Sequence, residues 1–210
     1  MTTLLAVESS SYRRINMSGW QETLVSAQLD GPQLLNTVTQ ASILPAQAQY
    51  TLPANYFKYV GQMLKITAQG RISCVVTTPG TVLYQVLFGA TAVYNNGAAA
   101  MNLNVVAKTD VAWWLEILMT VRTMSFTGTA ATATLMCQGQ WSSEAVVGSP
   151  LPSAGSSGTL FIPASAPAVS PTFDPTASQK IDLQAKFSVA TATTAMTLHQ
   201  YKVESLMSGI

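Results

Sequence analysis

The stretch Val111–Arg122, VAWWLEILMTVR, is the most apolar run of the 210-residue chain. Taken two residues at a time, one face carries Trp113, Leu115, Ile117, Met119 and Val121. The other carries Trp114, Glu116, Leu118, Thr120 and Arg122. One wholly apolar face and one mixed face describe a strand that covers a core on one side. Leu, Met and Glu also suit a helix, but the neighbouring segments alternate in the same way, and only strands pair with strands. The run therefore reads as the central strand of a β-sandwich. Its paired tryptophans place a large aromatic on each side of the sheet, each ring able to bury roughly 150–250 Å².

Working outward, Met63–Val76 alternates, with Leu64, Ile66, Ala68, Ile72, Cys74 and Val76 facing one way. Lys65, Thr67, Gln69, Arg71 and Ser73 face the other, and Gly70 inside the run predicts a bulge or bend. After the turn Thr77–Gly80, Thr81–Phe88 shows Val82, Tyr84, Val86 and Phe88 on one face. A short strand over Ala92–Tyr94 ends at Asn95-Asn96-Gly97, a hairpin signal. Met101–Val106 follows, with Leu103 and Val105 expected to face together. Ala131–Trp141 places Ala131, Ala133, Leu135, Cys137 and Trp141 inward. Lys180–Val189 turns Ile181, Leu183, Ala185, Phe187 and Val189 inward. Met196–Leu206 is the last strand, and its apolar phase slips at Leu198–His199, as at a bulge.

Two segments do not fit this scheme. Residues 1–50 have no sustained period, although Trp20, Leu24, Val25 and Asn36–Leu44 suggest short strands. They read as an N-terminal arm or irregular edge. Residues 51–210 read as the β-sandwich domain. Ser149–Pro175 is a long loop with prolines at 150, 152, 163, 167, 171 and 175, and one short strand at Leu160-Phe161-Ile162. A loop of that length is usually functional or pinned by a partner. The count is about eight antiparallel strands, which suits an all-β jelly roll.

The composition is unusual in its charge. Apolar residues make up 48% of the chain and charged residues 9%, against ~25% charged in ordinary soluble proteins. Such a surface is poorly soluble alone, so much of it is expected to lie against other protein chains. Ten Lys and Arg against nine Asp and Glu give a net charge of +1. Arg13-Arg14 is the one basic doublet, so no stripe tracks a phosphate backbone and no nucleic-acid partner is expected. The N-terminal MTTLLAVESSSYRR is too short in apolar residues for a signal peptide. No run approaches the ~20 apolar residues of a membrane helix. Synthesis in a cytoplasm and no membrane insertion are the expectation.

Candidate chemistry is sparse. Cys74 and Cys137 fall on apolar strand faces, either as buried small hydrophobes or as a disulfide if their strands are neighbours. The single histidine, His199, reads as a structural or interface residue, because a zinc site or a triad needs placed partners. Glu116 and Glu144 are the nearest pair of carboxylates for a glycosidase, with solvated or salt-bridged sheet residues as the plainer reading. GxSxG, GxxxxGK[ST], HExxH and GxGxxG do not occur. Trp113, Trp114, Trp141 and Tyr84 form either a sugar platform or core packing. Trp114 is the exception to core packing, because it shares a face with Glu116 and Arg122. No catalytic residue, cofactor or metal is expected.

The phrases LPANYFKYVGQMLKITAQGRISCVVTTPGT (52–81), WWLEILMTVRT (113–123), LMCQGQW (135–141), FDPTASQKIDL (173–183) and TLHQYKVESL (197–206) resemble small virion structural proteins of tailed bacteriophages. The resemblance covers about residues 52–206. It implies a jelly-roll protein that assembles as an oligomer, often a trimer, on a virus particle. The expected function is then a capsid decoration (cement) protein on the head surface, assembled in the host cytoplasm. Its partners are the major capsid protein and its own copies. Attachment is expected through the arm, at Arg13, Arg14 and Trp20. The alternative is the receptor- or glycan-binding head of a tail or head fibre. A polysaccharide hydrolase is a third reading.

Overall fold

The computed structural model describes residues 20–75, 79–95, 101–126, 131–147, 158–162 and 169–207. Five long strands dominate: β5 (Met63–Cys74), β9 (Lys108–Ser125), β10 (Thr132–Ser143), β12 (Gln179–Phe187) and β13 (Ala195–Met207). Between them lie β6 (Thr81–Phe88), β7 (Thr91–Asn95), β8 (Met101–Asn102) and β11 (Gly158–Ile162). The N-terminal part supplies β1 (Trp20–Ser26), β2 (Leu34–Leu35), β3 (Ala41–Ser42) and β4 (Thr51–Leu52), with one 3₁₀ turn at Ala46–Ala48.

The strands form two antiparallel sheets packed face to face. The larger runs β1-β13-β5-β9-β10-β11, with β2 also on β13. The smaller runs β3-β12-β6-β7, with β4 on β12 and β8 on β6. This is the all-β sandwich that the alternation requires. The jelly-roll winding expected from the strand count is not confirmed by this order: β9, β10 and β11 follow one another within a single sheet. β9 is an interior strand and, at 18 residues, the longest among the described elements.

The inward face of the central strand is as the period predicts; Ala131 and Val189, expected inward on theirs, are half-buried, and Val76 lies outside the described residues. Trp113, Leu115, Ile117, Met119 and Val121 are buried, while Leu118 and Arg122 are exposed. Val82, Tyr84, Val86 and Phe88 meet them from the smaller sheet. An aromatic column ties the two sheets together. Trp113 stacks on Trp141 with ring centroids 4.9 Å apart and planes 5° apart. Trp141 in turn stacks on Tyr84 of the opposite sheet at 5.5 Å. Three of the four candidate platform rings therefore pack the core. A second cluster joins Phe57, Phe88 and Phe173 at 5.4–6.0 Å. Phe57 and Phe173 lie outside any strand and carry no periodic signal.

Four local outcomes refine the sequence reading. Leu103 is buried, but Val105 is 63% exposed, because β8 ends at Asn102 and the chain turns away before 105. Residues 169–175 are pinned to β10 of the same chain: Phe173 and Ala133 exchange backbone hydrogen bonds of 3.1 and 2.8 Å. Residues 20–50, part of the segment expected as an arm or irregular edge, supply short edge strands, with β1 along β13 and β3 along β12. Cys74 and Cys137 are both free and buried.

The phase slip at Leu198–His199 is a β-bulge. Leu198 opposes Gly70 and Gln200 opposes Gln69, so His199 is the extra residue. Gly70 is required opposite it. A Cβ there would collide with the Thr197 carbonyl oxygen and stand 2.8 Å from Trp113 Nε1. The space is used by the Trp113 indole, whose N–H is shared between the carbonyls of Arg71 and Thr197 at 3.2 and 3.3 Å.

Candidate functional site

The inner face of the larger sheet is sealed by the smaller one. Its outer face is covered by no other described strand and is built chiefly from β13, β5, β9 and β10. The register fixes the rows across it. Gln200, Gln69, Trp114 and Ser142 form one row, and Lys202, Thr67, Glu116 and Gln140 the next. Trp114 is half-buried in this face, with Gln69 directly beside it on β5 and Ser142 on β10. Opposed residues on one face lie within side-chain reach.

The bulge changes what this face presents. His199 and Gln200 are consecutive and both exposed, whereas Leu198 and Tyr201 are buried on the core side. Without the extra residue, Gln200 would fall on the opposite face of the sheet. With it, Gln200 lands beside Gln69. These two amides border two neighbouring depressions. One, of about 320 Å³, is lined by Ser26, Ala27, Thr67, Gln69, Gln200, Tyr201 and Lys202. The other, of about 310 Å³, adds Arg71, Ala112 and His199 to the same pair of glutamines. Thr67 Oγ1 is buried in the first depression with no hydrogen-bond partner among the described residues.

Two lysines around the groove are paired with carboxylates within the chain, while Arg71, exposed at its second depression, keeps its charge. Lys65 Nζ is 2.6 Å from Glu116 Oε2, and Lys202 Nζ is 2.8 Å from Glu204 Oε1. Burial acts to raise the Glu204 carboxyl, but hydrogen bonds from Lys202 and Gln21, with the Lys202 and Lys65 charges, hold it below the ordinary glutamate value. His199 Nδ1 lies 2.8 Å from Asp30 Oδ1. Arg71 donates to the Asp110 carbonyl at 3.2 Å.

The other candidates separate. Glu116 sits opposite Gln140, while Glu144 lies four residues further along the chain and pairs with Lys108 at 3.0 Å. At ~3.3 Å per residue that offset is roughly 13 Å along the strand direction, and each carboxylate has its own lysine. Arg13 and Arg14 lie outside the described residues. Trp20 opens β1 and pairs through its backbone register with Met207. Cys137 is buried on the core side and its thiol is pushed up to about 12 by burial. Cys74 is raised by burial too, against backbone hydrogen bonds at Lys108 and Asn104 and the Lys108 charge, which act to lower it.

Exposed aliphatic side chains gather at one end of the sandwich. β13 begins there, β5 ends there and β9 begins there, since Ala195 opposes both Ser73 and Leu35, and Cys74 opposes Lys108. Leu35, Val38, Val105 and Val106 are each 50–63% exposed. Val38 belongs to this end because Phe187, closing β12, donates its N–H to the Thr37 carbonyl.

Gln69 and Thr67 were legible in the sequence as outward residues, but nothing local marked them as a site. Gln200 was not placeable, because its face depends on the bulge. No protein-family model, curated protein or solved structure matches this chain.

Proposed function

We propose that this chain is a structural protein of a bacteriophage virion, a decoration protein that binds the assembled head as a homotrimer and stabilises contacts between capsid proteins. The observation that carries this reading is the aliphatic end formed by Leu35, Val38, Val105 and Val106. Burying what each still exposes against a partner contributes roughly 1 kcal/mol per side chain. Three copies acting together multiply that modest gain through avidity. The low charge of the chain, 9%, suits a surface that spends its life against protein. The N-terminal segment with Arg13, Arg14 and Trp20 supplies the second contact in this reading. A protein that binds only the assembled shell stabilises it by linkage.

The test adds purified protein to heads lacking it, followed by particle imaging and a heat-rupture assay. Regular occupancy at three-fold or quasi-three-fold positions with a raised rupture temperature is expected. A Val105→Asp/Val106→Asp variant should fold and lose occupancy. Wild-type protein that leaves heads bare and their rupture temperature unchanged would refute the proposal.

A further inference from the structure

We propose that the groove between β5 and β13, together with the Trp114 ring that borders it from β9, is a binding site for a neutral saccharide, with Trp114 as the apolar platform beside the groove and Gln69, Gln200 and Thr67 as the hydrogen-bonding groups within it. The inference is independent of where the protein sits on a particle.

The chemistry follows from the groups present. A pyranose ring offers an apolar C–H face and a rim of hydroxyls that both donate and accept. Its site needs an exposed aromatic face beside side chains that do the same. A glutamine amide carries two donors and an acceptor with two lone pairs, and a threonine hydroxyl does both. Gln69 stands beside Trp114 on one side and Gln200 on the other. Neither glutamine amide has an intramolecular hydrogen bond among the described residues, unlike Gln85 and Gln184, which bond each other at 3.0 Å on the smaller sheet. Thr67 Oγ1 adds a buried hydroxyl left unpaired at the groove wall. A ligand hydroxyl at the groove pairs this group, which is otherwise left unsatisfied.

The electrostatics of the first depression favour a neutral ligand. Lys202, which lines it, and the nearby Lys65 are each committed to a carboxylate within 3 Å. Among the described residues lining that depression no cation is left to offset the desolvation of a sulfate or a carboxylate, and the exposed Arg71 stands at the second. The size agrees as well. Two adjoining depressions of about 320 and 310 Å³ fall at the small end of ligand sites and suit two or three sugar units laid across the strands. The His199 bulge builds the site by turning Gln200 outward, a recurrent use of bulges beside functional residues.

The experiment titrates the purified full chain with maltotriose, cellotriose, chitotriose and mannotriose. It is followed by saturation-transfer NMR on the sugar and by tryptophan fluorescence. At least one trisaccharide should bind saturably with a Kd of order 1 mM, as a shallow groove with few hydrogen bonds permits. Gln69→Ala/Gln200→Ala and Trp114→Ala should each weaken it at least about tenfold. Thr67→Val, of nearly the same shape, should weaken it by a smaller factor. Gln200 is exposed, so Gln200→Ala alone keeps the fold and remains informative if Trp114→Ala does not. Absence of saturable binding to all four sugars would overturn the proposal, as would binding that the glutamine variants leave unchanged. Neither outcome bears on head binding, which is read on particles.

Discussion

Replacing Gly70 by alanine tests whether the bulge and the buried tryptophan are one device. The added methyl meets the Thr197 carbonyl oxygen inside van der Waals distance and Trp113 Nε1 at 2.8 Å. The first contact is backbone on a paired strand, so no rotamer change relieves it. Overpacking of this kind costs about 1–3 kcal/mol. If β13 moves away, the shared N–H of Trp113 loses the Thr197 carbonyl and keeps only that of Arg71 on β5, a further ~0.5–1.5 kcal/mol. Together these centre near ~3 kcal/mol, a large part of a typical domain's 5–15 kcal/mol. For a chain of this size each kcal/mol shifts Tm by ~2–4 °C, so a fall of ~6–12 °C is expected. The assay is thermal and urea denaturation followed by tryptophan fluorescence and circular dichroism. Gly61→Ala is the comparator. Gly61 has φ +97° but nothing within 4 Å of its added methyl, so only backbone strain of ~1–2 kcal/mol applies. A Gly70→Ala protein melting within about 3 °C of wild type, or no lower than Gly61→Ala, would show that the strands at the bulge are not locked by this contact.

The adjacent tryptophans should behave oppositely: Trp113→Ala removes a 2% exposed ring and should cost about 3–5 kcal/mol, whereas half-buried Trp114→Ala should cost about 1 kcal/mol or less, both measured by urea denaturation. Alkaline pH should destabilise the fold through Cys137. Its thiol pKa is raised from 9.0 to about 12, so its contribution is complete below pH 9 and is lost as pH rises toward the folded value, at up to ~1.4 kcal/mol per pH unit. Cys137→Ser should flatten the stability profile between pH 9 and 10, and an unchanged slope would count against the assignment. Glu204 works in the other direction. Its folded pKa is lowered from 4.5, so its stabilisation is present above that value and disappears as pH falls through the folded pKa. The stability gap between wild type and Glu204→Gln should therefore close on acidification below about pH 4.5. A gap that stays constant to the foot of the acid transition would refute this.

Much of the fold is written in local alternation. The period-2 pattern assigned β5, β6, β9, β10, β12 and β13, and it named most of the buried residues of β5, β6, β9, β10 and β12. It did so because side-chain direction along a strand depends only on the strand itself. Val105 shows the limit: the pattern continues, but the chain leaves the sheet after Asn102, and pattern alone carries no information about where pairing stops. Phe57 and Phe173 show another. They fill the core from irregular backbone, where no period exists to reveal them.

The candidate site divides along the same line. From sequence, Trp114, Thr67 and Gln69 were outward residues on separate strands, and the slip in apolar phase at Leu198–His199 marked a bulge. Only the tertiary pairing brought β5 between β9 and β13, which set Gln69 between Trp114 and Gln200. Only the bulge turned Gln200 to that face. The sequence by itself thus determined the strands, their buried faces and the scarcity of charge, all of which follow from single residues and their neighbours. The tertiary structure decided which strands are adjacent, which tryptophans stack and where the free amides meet. Those depend on pairing between strands distant along the chain, 45 positions from Gln69 to Trp114 and 131 from Gln69 to Gln200, which no local pattern encodes.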